Sequence, residues 1–478
     1  MVKDYFEARA WLEGFIPYTY SKENLGLSRI EYLLKLLGNP QEKFKSIHIA
    51  GTSGKGSTAY YCVRLLQRSK SQTPNSKLQK GPNNKTKNWN LEFDNWKLNR
   101  PKVGLHISPH LTYIGERMQI NGRPISVGRL VKLINEVKTV VEKIQRTKPK
   151  LIPSYFEILV AASFLHFAQE RVNWAVVEVG LGGRLDATNV LRPELCVITN
   201  IGLDHTDILG KTIEKIAFEK AGIIKDGVPV ITGAKGKALQ VIEKEAERKK
   251  AQLVKLSKND TKGYLIIYKD IVKRGECFLT YECFSMSLTS MGALGILLDR
   301  DTMKEALSLG FPGRFEEVQE DVILDGAHNL DKIKILVNFL KNSKLQTPNS
   351  KITLVVAFKK GKDWKKMLRF LISELSVDAI FATEFKAATD TGFFAAVDPY
   401  EIKDFVNSKL PFDSKLAQGE QISNSKIIVT NNSQEAVFNA LRLTSTSLSA
   451  SAQGKLVLVT GSLYLVGEAR TLWDLPEN

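Results

Sequence analysis

At 478 residues the chain exceeds what one hydrophobic core usually supports, and two to three domains are expected. A hydrophobic fraction of 43% and a charged fraction of 25% are those of an ordinary globular protein, and no apolar run approaches the roughly 18 residues that span a bilayer. The formal net charge of +17 would suit a nucleic-acid partner, but ten Lys/Arg against Glu92 and Asp94 concentrate +8 of it between Arg64 and Lys102.

Within that stretch, Ser69–Arg100 is rich in Asn, Ser and Lys and predicts a solvated insertion at about residues 69–100 with no core of its own. A basic surface or attraction for anionic substrates accounts for the excess charge. No aromatic–basic recognition motif accompanies it, so no nucleic-acid partner is expected. The opening Met1-Val-Lys-Asp-Tyr-Phe-Glu7 carries acids early and has no apolar signal core, so a cytoplasmic protein without a membrane partner is expected. The four cysteines (Cys62, Cys196, Cys277, Cys283) form no close metal-binding pair. Cys62 and Cys196 lie in apolar segments and are expected as buried, reduced thiols.

Along the chain, Ser46–Ala50 reads as a short apolar strand, followed by a glycine-rich turn and a helix from about Lys55 to Arg68. Val103–Ile107, Trp174–Val179 and Leu195–Thr199 read as further buried strands, with helices near Val127–Ile144 and Tyr155–Gln169 between them. Near-continuous apolar strands separated by helices imply a parallel sheet covered on both faces. After Pro312-Gly-Arg314 the alternation starts again, with strands at Val322–Leu324, Ile352–Phe358, Ala379–Ala382, Lys426–Thr430 and Lys455–Thr460. Two α/β domains are expected, residues 1–309 and 310–478, joined near residues 308–314. The hexapeptide Gln72-Thr-Pro-Asn-Ser-Lys77 recurs as Gln346-Thr-Pro-Asn-Ser-Lys351, and both copies read as tolerated surface insertions.

The strongest local signal is Ala50-Gly-Thr-Ser-Gly-Lys-Gly-Ser-Thr58, set between a strand and a helix. Glycines let backbone wrap an anion, the helix start turns N–H groups toward it, and Lys55 adds a charge. The spacing differs from the common phosphate loop, because only three residues separate Gly51 from Lys55 and a glycine follows the lysine. Ser57 then supplies the hydroxyl for Mg²⁺. A glycine turn that holds no phosphate is the plain alternative.

These residues carry a family resemblance. His48-Ile-Ala-Gly-Thr-Ser-Gly-Lys-Gly-Ser-Thr58 resembles the phosphate loop of folylpolyglutamate synthases and dihydrofolate synthases, members of the Mur ligase superfamily. Similar matches follow in order: Leu36-Leu-Gly-Asn-Pro-Gln41, Ser108-Pro-His-Leu111, Glu116-Arg117, Ser154-Tyr-Phe-Glu157 and Glu178-Val-Gly-Leu-Gly-Gly-Arg-Leu-Asp-Ala-Thr-Asn189. Asp204-His-Thr-Asp-Ile-Leu-Gly210, Glu219-Lys-Ala-Gly-Ile-Ile-Lys225, Pro312-Gly-Arg314, Leu324-Asp-Gly-Ala-His-Asn329 and Thr460-Gly-Ser-Leu-Tyr-Leu-Val-Gly467 complete the set. The resemblance implies a phosphate-loop, parallel-sheet ATPase domain followed by a Rossmann-like α/β domain, the Mur ligase architecture. It implies ATP-dependent addition of L-glutamate to a folate or dihydropteroate carboxylate through an acyl phosphate, in a monomer.

Activating a carboxylate with ATP is mostly positioning and charge neutralisation, which requires Mg²⁺ and cations around the phosphates. Magnesium prefers oxygen ligands, so Glu178 at the end of a buried strand and the hydroxyls of Ser57 and Ser108 suit it. His205 alone would read as a structural histidine, and Lys220 as a solvated cation. The resemblance instead makes His205 a ligand of a second metal ion and Lys220 a carbamylated metal-site residue, whose amine burial must keep neutral enough to react with CO₂. By the same resemblance Gly51, Thr52, Gly54, Lys55, Gly56 and Ser57 bind ATP, Arg314 reaches its phosphates and Asp325 its nucleoside. An interdomain salt bridge is the alternative for Arg314. His328 is expected near the phosphates or the incoming glutamate. The acceptor is expected against Gly26, Leu27, Ser28, Ser154, Tyr155, Phe156, Glu157, Leu185, Asp186 and Ala187.

The sequence departs from the family in two places. Ser285-Met-Ser-Leu-Thr-Ser-Met-Gly-Ala-Leu-Gly295 is short and lacks the family's His-Gln pair and following Asn that help bind ATP, and Ser53 stands where the loop has Asn. Two alternatives stay open: a related ligase acting on another acid, and a non-catalytic ATP-binding descendant. Leu185-Asp-Ala-Thr-Asn189 argues against the first. Joint retention of Lys55, Glu178, His205 and Lys220 argues against the second.

Overall fold

A computed structural model of the chain describes residues 1–17, 25–69, 100–256, 278–307, 310–342, 351–389, 392–409, 427–445 and 455–473. The basic insertion expected at about 69–100 lies almost wholly outside the described residues, as do Cys277, the first copy of the repeated hexapeptide and all but Lys351 of the second.

The first sheet contains β1 (Lys45–Ala50), β2 (Val103–His106), β3 (Met118–Ile120), β4 (Arg123–Pro124), β5 (Trp174–Glu178), β6 (Leu195–Ile198), β7 (Val230–Thr232) and β8 (Leu253–Lys255). Their order is β4-β3-β2-β5-β1-β6-β7-β8. From β2 to β8 the pairs are parallel, and β3 and β4 extend one edge antiparallel. Strand side chains alternate between two cores. Ile47, Ile49, Val176, Val197 and Ile231 face helices Lys55–Arg68 and Phe278–Ala293. Ala175 and Val177 face helices Val127–Thr147 and Tyr155–Gln169, while Cys196, Ile198 and Val230 face Ile213–Ala221 and Gly236–Arg248. Helix Tyr155–Gln169 is apolar nearly all round and is correspondingly buried in the middle of its layer.

Most of the segment that departs from the family pattern, Ser285–Gly295, lies on a helix, Phe278–Ala293, laid along the helix that follows the glycine-rich loop. Phe284 packs edge-on against Tyr61 at 5.3 Å, and Cys283 Sγ lies 3.5 Å from the Gly54 carbonyl. Cys62, Cys196 and Cys283 are buried.

The second sheet contains β9 (Glu316–Gln319), β10 (Val322–Asp325), β11 (Lys351–Val356) and β12 (Val377–Ala382). A separate antiparallel hairpin, β13 (Lys386–Thr389) and β14 (Gly392–Ala395), precedes its last strands, β15 (Ile427–Val429) and β16 (Lys455–Thr460). The order is β15-β12-β11-β16-β10-β9, parallel except for β9. Helices Leu330–Asn342, Trp364–Glu374 and Pro399–Lys409 cover one face, and Ser433–Ser445 and Leu463–Arg470 the other.

The halves touch where the Leu111 loop meets Gly313, Val466 and Gly467. They are also tied by Arg64, which donates to the carbonyls of Ala306 (3.3 Å) and Gly310 (2.7 Å) and lies 4.5 Å from the Phe311 ring centre. The carboxyl ends of β1, β2 and β5 thereby face those of β10 and β16 across a cleft, the position where open α/β sheets place ligands. Among the described residues no helix is long and apolar enough to cross a membrane.

Candidate active site

The cleft has a volume of about 890 Å³ and is lined from both halves. Its floor on the amino-terminal side is the loop after β1. Gly54 caps the helix Lys55–Arg68 at φ 82°, a conformation that glycine adopts without a Cβ penalty. Gly51 has φ 147°, and a Cβ there would stand 1.8 Å from Thr199 Oγ1. The segment after β6 braces the loop from outside. Thr52 N–H donates to the Asn200 carbonyl (2.9 Å), Ser53 N–H to Asn200 Oδ1 (2.8 Å), and Thr199 Oγ1 to the Ser53 carbonyl (2.7 Å). The first-turn amides of Lys55, Gly56 and Ser57 are left for an outside acceptor, since a helix cannot satisfy them itself.

Glu178, at the end of β5, is buried beside this turn. Its Oε1 lies 3.7 Å from Lys55 Nζ, its Oε2 accepts from Ser108 N–H at 3.3 Å, and a Cβ on Gly56 would sit 3.4 Å from it. Burial pushes its pKa up, against Lys55, the Ser108 amide, Arg314 and Lys332. Ser57 and Ser108 line the same space. A desolvated carboxylate with two hydroxyls beside this glycine-rich loop fits Mg²⁺, which takes one or two carboxylates and completes its shell with phosphate oxygens and water. Among the described residues no three His, Cys, Asp or Glu side chains converge as a metal cluster, so the fit depends on phosphate and water oxygens.

His205 lines the cleft at φ 49° and starts the short helix Thr206–Leu209. Its imidazole is lowered to about 4, first by desolvation and then by Lys362, Lys55 and Lys220 in opposition to Asp204. Asp204 forms an ion pair across the cleft with Lys362 Nζ at 2.8 Å. Burial would raise its carboxyl, but His205 and Lys362 together hold it well below the carboxylate range. Lys220 is not in the cleft wall. It lies buried beneath the loop, donating from Nζ to the Gly51 carbonyl at 2.9 Å, and desolvation with a contribution from Lys55 lowers it to about 7.

On the opposite wall, Arg314 Nη1 donates to the Gly313 carbonyl at 3.0 Å. Asp325 spends its carboxylate on backbone, accepting from Phe315 N–H (2.9 Å) and Ala327 N–H (2.8 Å), so it ties the Arg314 turn to the His328 loop. Burial raises its pKa against Arg314 and these amides. His328 donates from Nδ1 to the Gly326 carbonyl (2.7 Å), and its Nε2 lies 2.9 Å from Lys332 Nζ.

Of the residues expected to meet the acceptor, Gly26, Ser154, Phe156, Glu157, Leu185, Asp186 and Ala187 line the cleft, whereas Leu27, Ser28 and Tyr155 do not. Ser28 is exposed, Leu27 packs on the core, and Tyr155 is turned inward at 5.8 Å from the Arg117 guanidinium. Ser154 and Glu157 form a capping box, in which Glu157 accepts from Ser154 N–H (2.7 Å) and also from Arg29 Nε (2.9 Å). Asp186 is buried, accepting from Leu181 N–H (2.8 Å) and from Thr188 N–H and Oγ1. Because Thr188 Oγ1 gives its proton to Asp186, it accepts from His48 Nε2 at 2.8 Å, which fixes the His48 tautomer.

Gly51, Leu27, Ser28, Tyr155 and Lys220 are thus the expected site residues outside the cleft wall. Arg29, Asp204, Lys332, Lys359 and Lys362 line it without having been singled out for a role. Asp204 lies inside a quoted motif, and the four cations carry no local pattern.

Residues 129–298 match the Mur ligase middle domain, and residues 313–472 the dihydrofolate synthetase C-terminal domain. The dihydrofolate synthase/folylpolyglutamate synthase of Bacillus subtilis is 33% identical over 98% of this chain and 99% of its own. The dihydrofolate synthetase of Saccharomyces cerevisiae is 32% identical over 93% of this chain and 96% of its own. The folylpolyglutamate synthase of Mycobacterium tuberculosis complexed with ADP and AMPPCP superposes with a TM-score of 0.75 at 26% identity, covering 99% of this chain and all of that one.

Proposed function

The chain belongs to the dihydrofolate synthase/folylpolyglutamate synthase family, and from that premise we propose that its cleft joins L-glutamate to the carboxylate of dihydropteroate or a folate at the expense of ATP. The observation that carries this reading is the meeting, in one cleft, of the Gly51–Lys55 loop, the buried Glu178 and the cations Arg314 and Lys332. The loop amides and Lys55 hold the ATP phosphates, with Arg314 reaching them from the opposite wall. The acceptor lies toward Phe156 and Asp186, its carboxylate turned to the γ-phosphoryl group. A carboxylate oxygen attacks that phosphorus, ADP leaves, and an acyl phosphate forms. The amine of glutamate then adds to the acyl carbon, and the tetrahedral intermediate expels phosphate and leaves an amide. Walls from two halves exclude water from the acyl phosphate.

Glu178, Ser57 and Ser108 would hold one Mg²⁺ and His205 would contribute to a second, supplying neutralisation of phosphate charge when bound. Lys220 is carbamylated in this reading; its burial and lowered pKa support a reactive neutral amine. ¹³C NMR after equilibration with labelled bicarbonate tests it: a carbamate signal lost in Lys220→Ala is expected, and active protein without the signal removes it. Domains 1–309 and 310–478 complete the proposal, with the Arg64 clamp at residues 306 and 310 marking the join. Both walls come from one chain, which supports a monomer, and the buried thiols of Cys62 and Cys196 suit the cytoplasm.

ADP release with ATP, Mg²⁺ and L-glutamate, compared between dihydropteroate and tetrahydrofolate, tests the activity. Release that requires both glutamate and one of these acceptors is expected, and release indifferent to both would overturn it. The carboxy-terminal match to a dihydrofolate synthetase domain favours dihydropteroate as an acceptor.

A further inference from the structure

Lys332 lies four residues after His328, within helix Leu330–Asn342, and its Nζ is 2.9 Å from His328 Nε2. The opposite ring nitrogen, Nδ1, is 2.7 Å from the Gly326 carbonyl, which can only accept. The proton therefore sits on Nδ1, Nε2 is the acceptor, and Lys332 is the donor. Both imidazole nitrogens are engaged, so His328 has no free polar edge for a ligand. What the pair presents to the cleft is the rest of the Lys332 ammonium.

Among the described residues that ammonium pairs with no carboxylate. Its surroundings are mostly positive. Burial first, then Arg314, Lys55 and Lys362 in opposition to Asp204, lower it to about 7. Glu178 is in turn within electrostatic reach of Lys55, Arg314 and Lys332 together. Three cations from three separate segments thus converge on the space between the loop and the opposite wall; of the carboxylates in reach, Asp204 is paired with Lys362, Asp325 is taken up by the Phe315 and Ala327 amides, and Glu178 stands among the cations. Partly desolvated cations that face one another are stable only when an anion joins them. A phosphoryl group held by the loop would lie in that space, and in transfer its charge spreads over three equatorial oxygens.

We propose that Lys332 binds the transferring γ-phosphoryl group from the wall opposite the loop, with His328 as the positioning residue that holds it. The assignment rests on the reading of the cleft as an ATP-dependent ligase site. It also changes the role expected of His328, which acts through Lys332 rather than on a ligand itself.

The test uses the difference between ADP and the non-hydrolysable analogue AMPPCP, because only the latter carries the group that Lys332 meets. Calorimetric titrations with Mg²⁺ compare the full-length parent with Lys332→Met and Lys332→Arg, and circular dichroism establishes that each variant is folded. Lys332→Met is expected to weaken AMPPCP binding about tenfold or more and to leave ADP within about twofold, since it removes one charge-assisted contact. Lys332→Arg is expected to recover most of the loss. His328→Ala should show the same selectivity with a smaller effect. Equal weakening of both nucleotides would mark a merely structural role and overturn the assignment, as would unchanged binding of both. Unchanged AMPPCP binding with a raised KM for L-glutamate would move Lys332 to the amino-acid site and equally overturn it. A parent that binds neither nucleotide would remove the ligase reading itself, an outcome distinct from all of these.

Discussion

The amino-terminal wall of the cleft centres on a backbone loop, and the carboxy-terminal wall on side chains from separate elements. In the first, a turn of four residues between β1 and a helix directs amides and Lys55 at one point, and Thr199 and Asn200 brace it from behind. In the second, Arg314, Lys332 and Lys362 come from a turn, a helix and a strand-to-helix connection, and each is placed by the packing of its own element. A backbone site is fixed by a short run of sequence and is disturbed when a single methyl group is added. A side-chain site is assembled by tertiary structure, and removing one of its charges should be graded in effect.

The comparison meets its hardest test in Lys55→Ala, for which the largest loss is expected. Turnover should fall by about 10³-fold or more, because a cation on the transferring phosphate is worth that much, while the unfolding transition stays cooperative. Turnover near the parent value in folded protein would break the account of this wall. Glu178→Gln comes next, with a fall in kcat of about 10²-fold and a shift of the Mg²⁺ titration to higher concentration. Its KM for the acceptor should change far less. Matching Mg²⁺ titrations for the two proteins would separate Glu178 from the phosphates.

Gly51→Ala probes the bracing directly. The added Cβ meets Thr199 Oγ1, so a destabilisation of about 1–3 kcal/mol is expected from thermal or denaturant unfolding, with weakened nucleotide binding. Pairing it with Thr199→Ala should restore part of the loss, and no recovery would locate the strain elsewhere. The smallest effect is expected on the opposite wall, in the stability of the ligand-free protein. Lys332 titrates at about 7 rather than its ordinary 10.5, so between these values the unfolded chain binds the additional proton and stability rises with pH. Below about 7 both states are charged, and the folded state carries the whole cost. Lys332→Met should therefore raise Tm at pH 6 and lose that advantage progressively toward pH 10. An advantage that grows with pH would contradict the burial argument.

The contrast between the walls also explains what the sequence makes legible. The boundaries expected for the helix after the loop, about Lys55 to Arg68, are those observed, because glycine punctuation and apolar periodicity agree there. Trp174-Ala-Val-Val-Glu-Val179 reads as a buried strand, and the strand runs over Trp174–Glu178. The edge strands β3, β4 and β9 were not expected, since runs such as Glu316-Glu-Val-Gln319 carry no apolar pattern and pair only because a neighbour offers an edge. The helix Phe278–Ala293 escapes periodicity as well. Ser287, Thr289 and Ser290 satisfy their hydroxyls on carbonyls four residues back, those of Cys283, Ser285 and Met286, so polar positions fall inside a packed layer. At the site, the Ser154–Glu157 capping box was available as a local signal, and it accounts for those two residues before any substrate does. Tyr155, between them, faces the core because one turn of helix cannot direct every residue to the cleft. Arg29, Lys332 and Lys362 had no such signal, as isolated cations whose meaning lies in what the fold brings near them.

The central claim is that the two walls together transfer a phosphoryl group to a carboxylate before the amide forms. Dihydropteroate labelled with ¹⁸O in its carboxylate tests this directly through mass analysis of the released phosphate. Activation as an acyl phosphate requires one acceptor oxygen to leave with phosphorus, so phosphate carrying a single ¹⁸O for each amide formed is the expected result. Amide formation that releases unlabelled phosphate would contradict it.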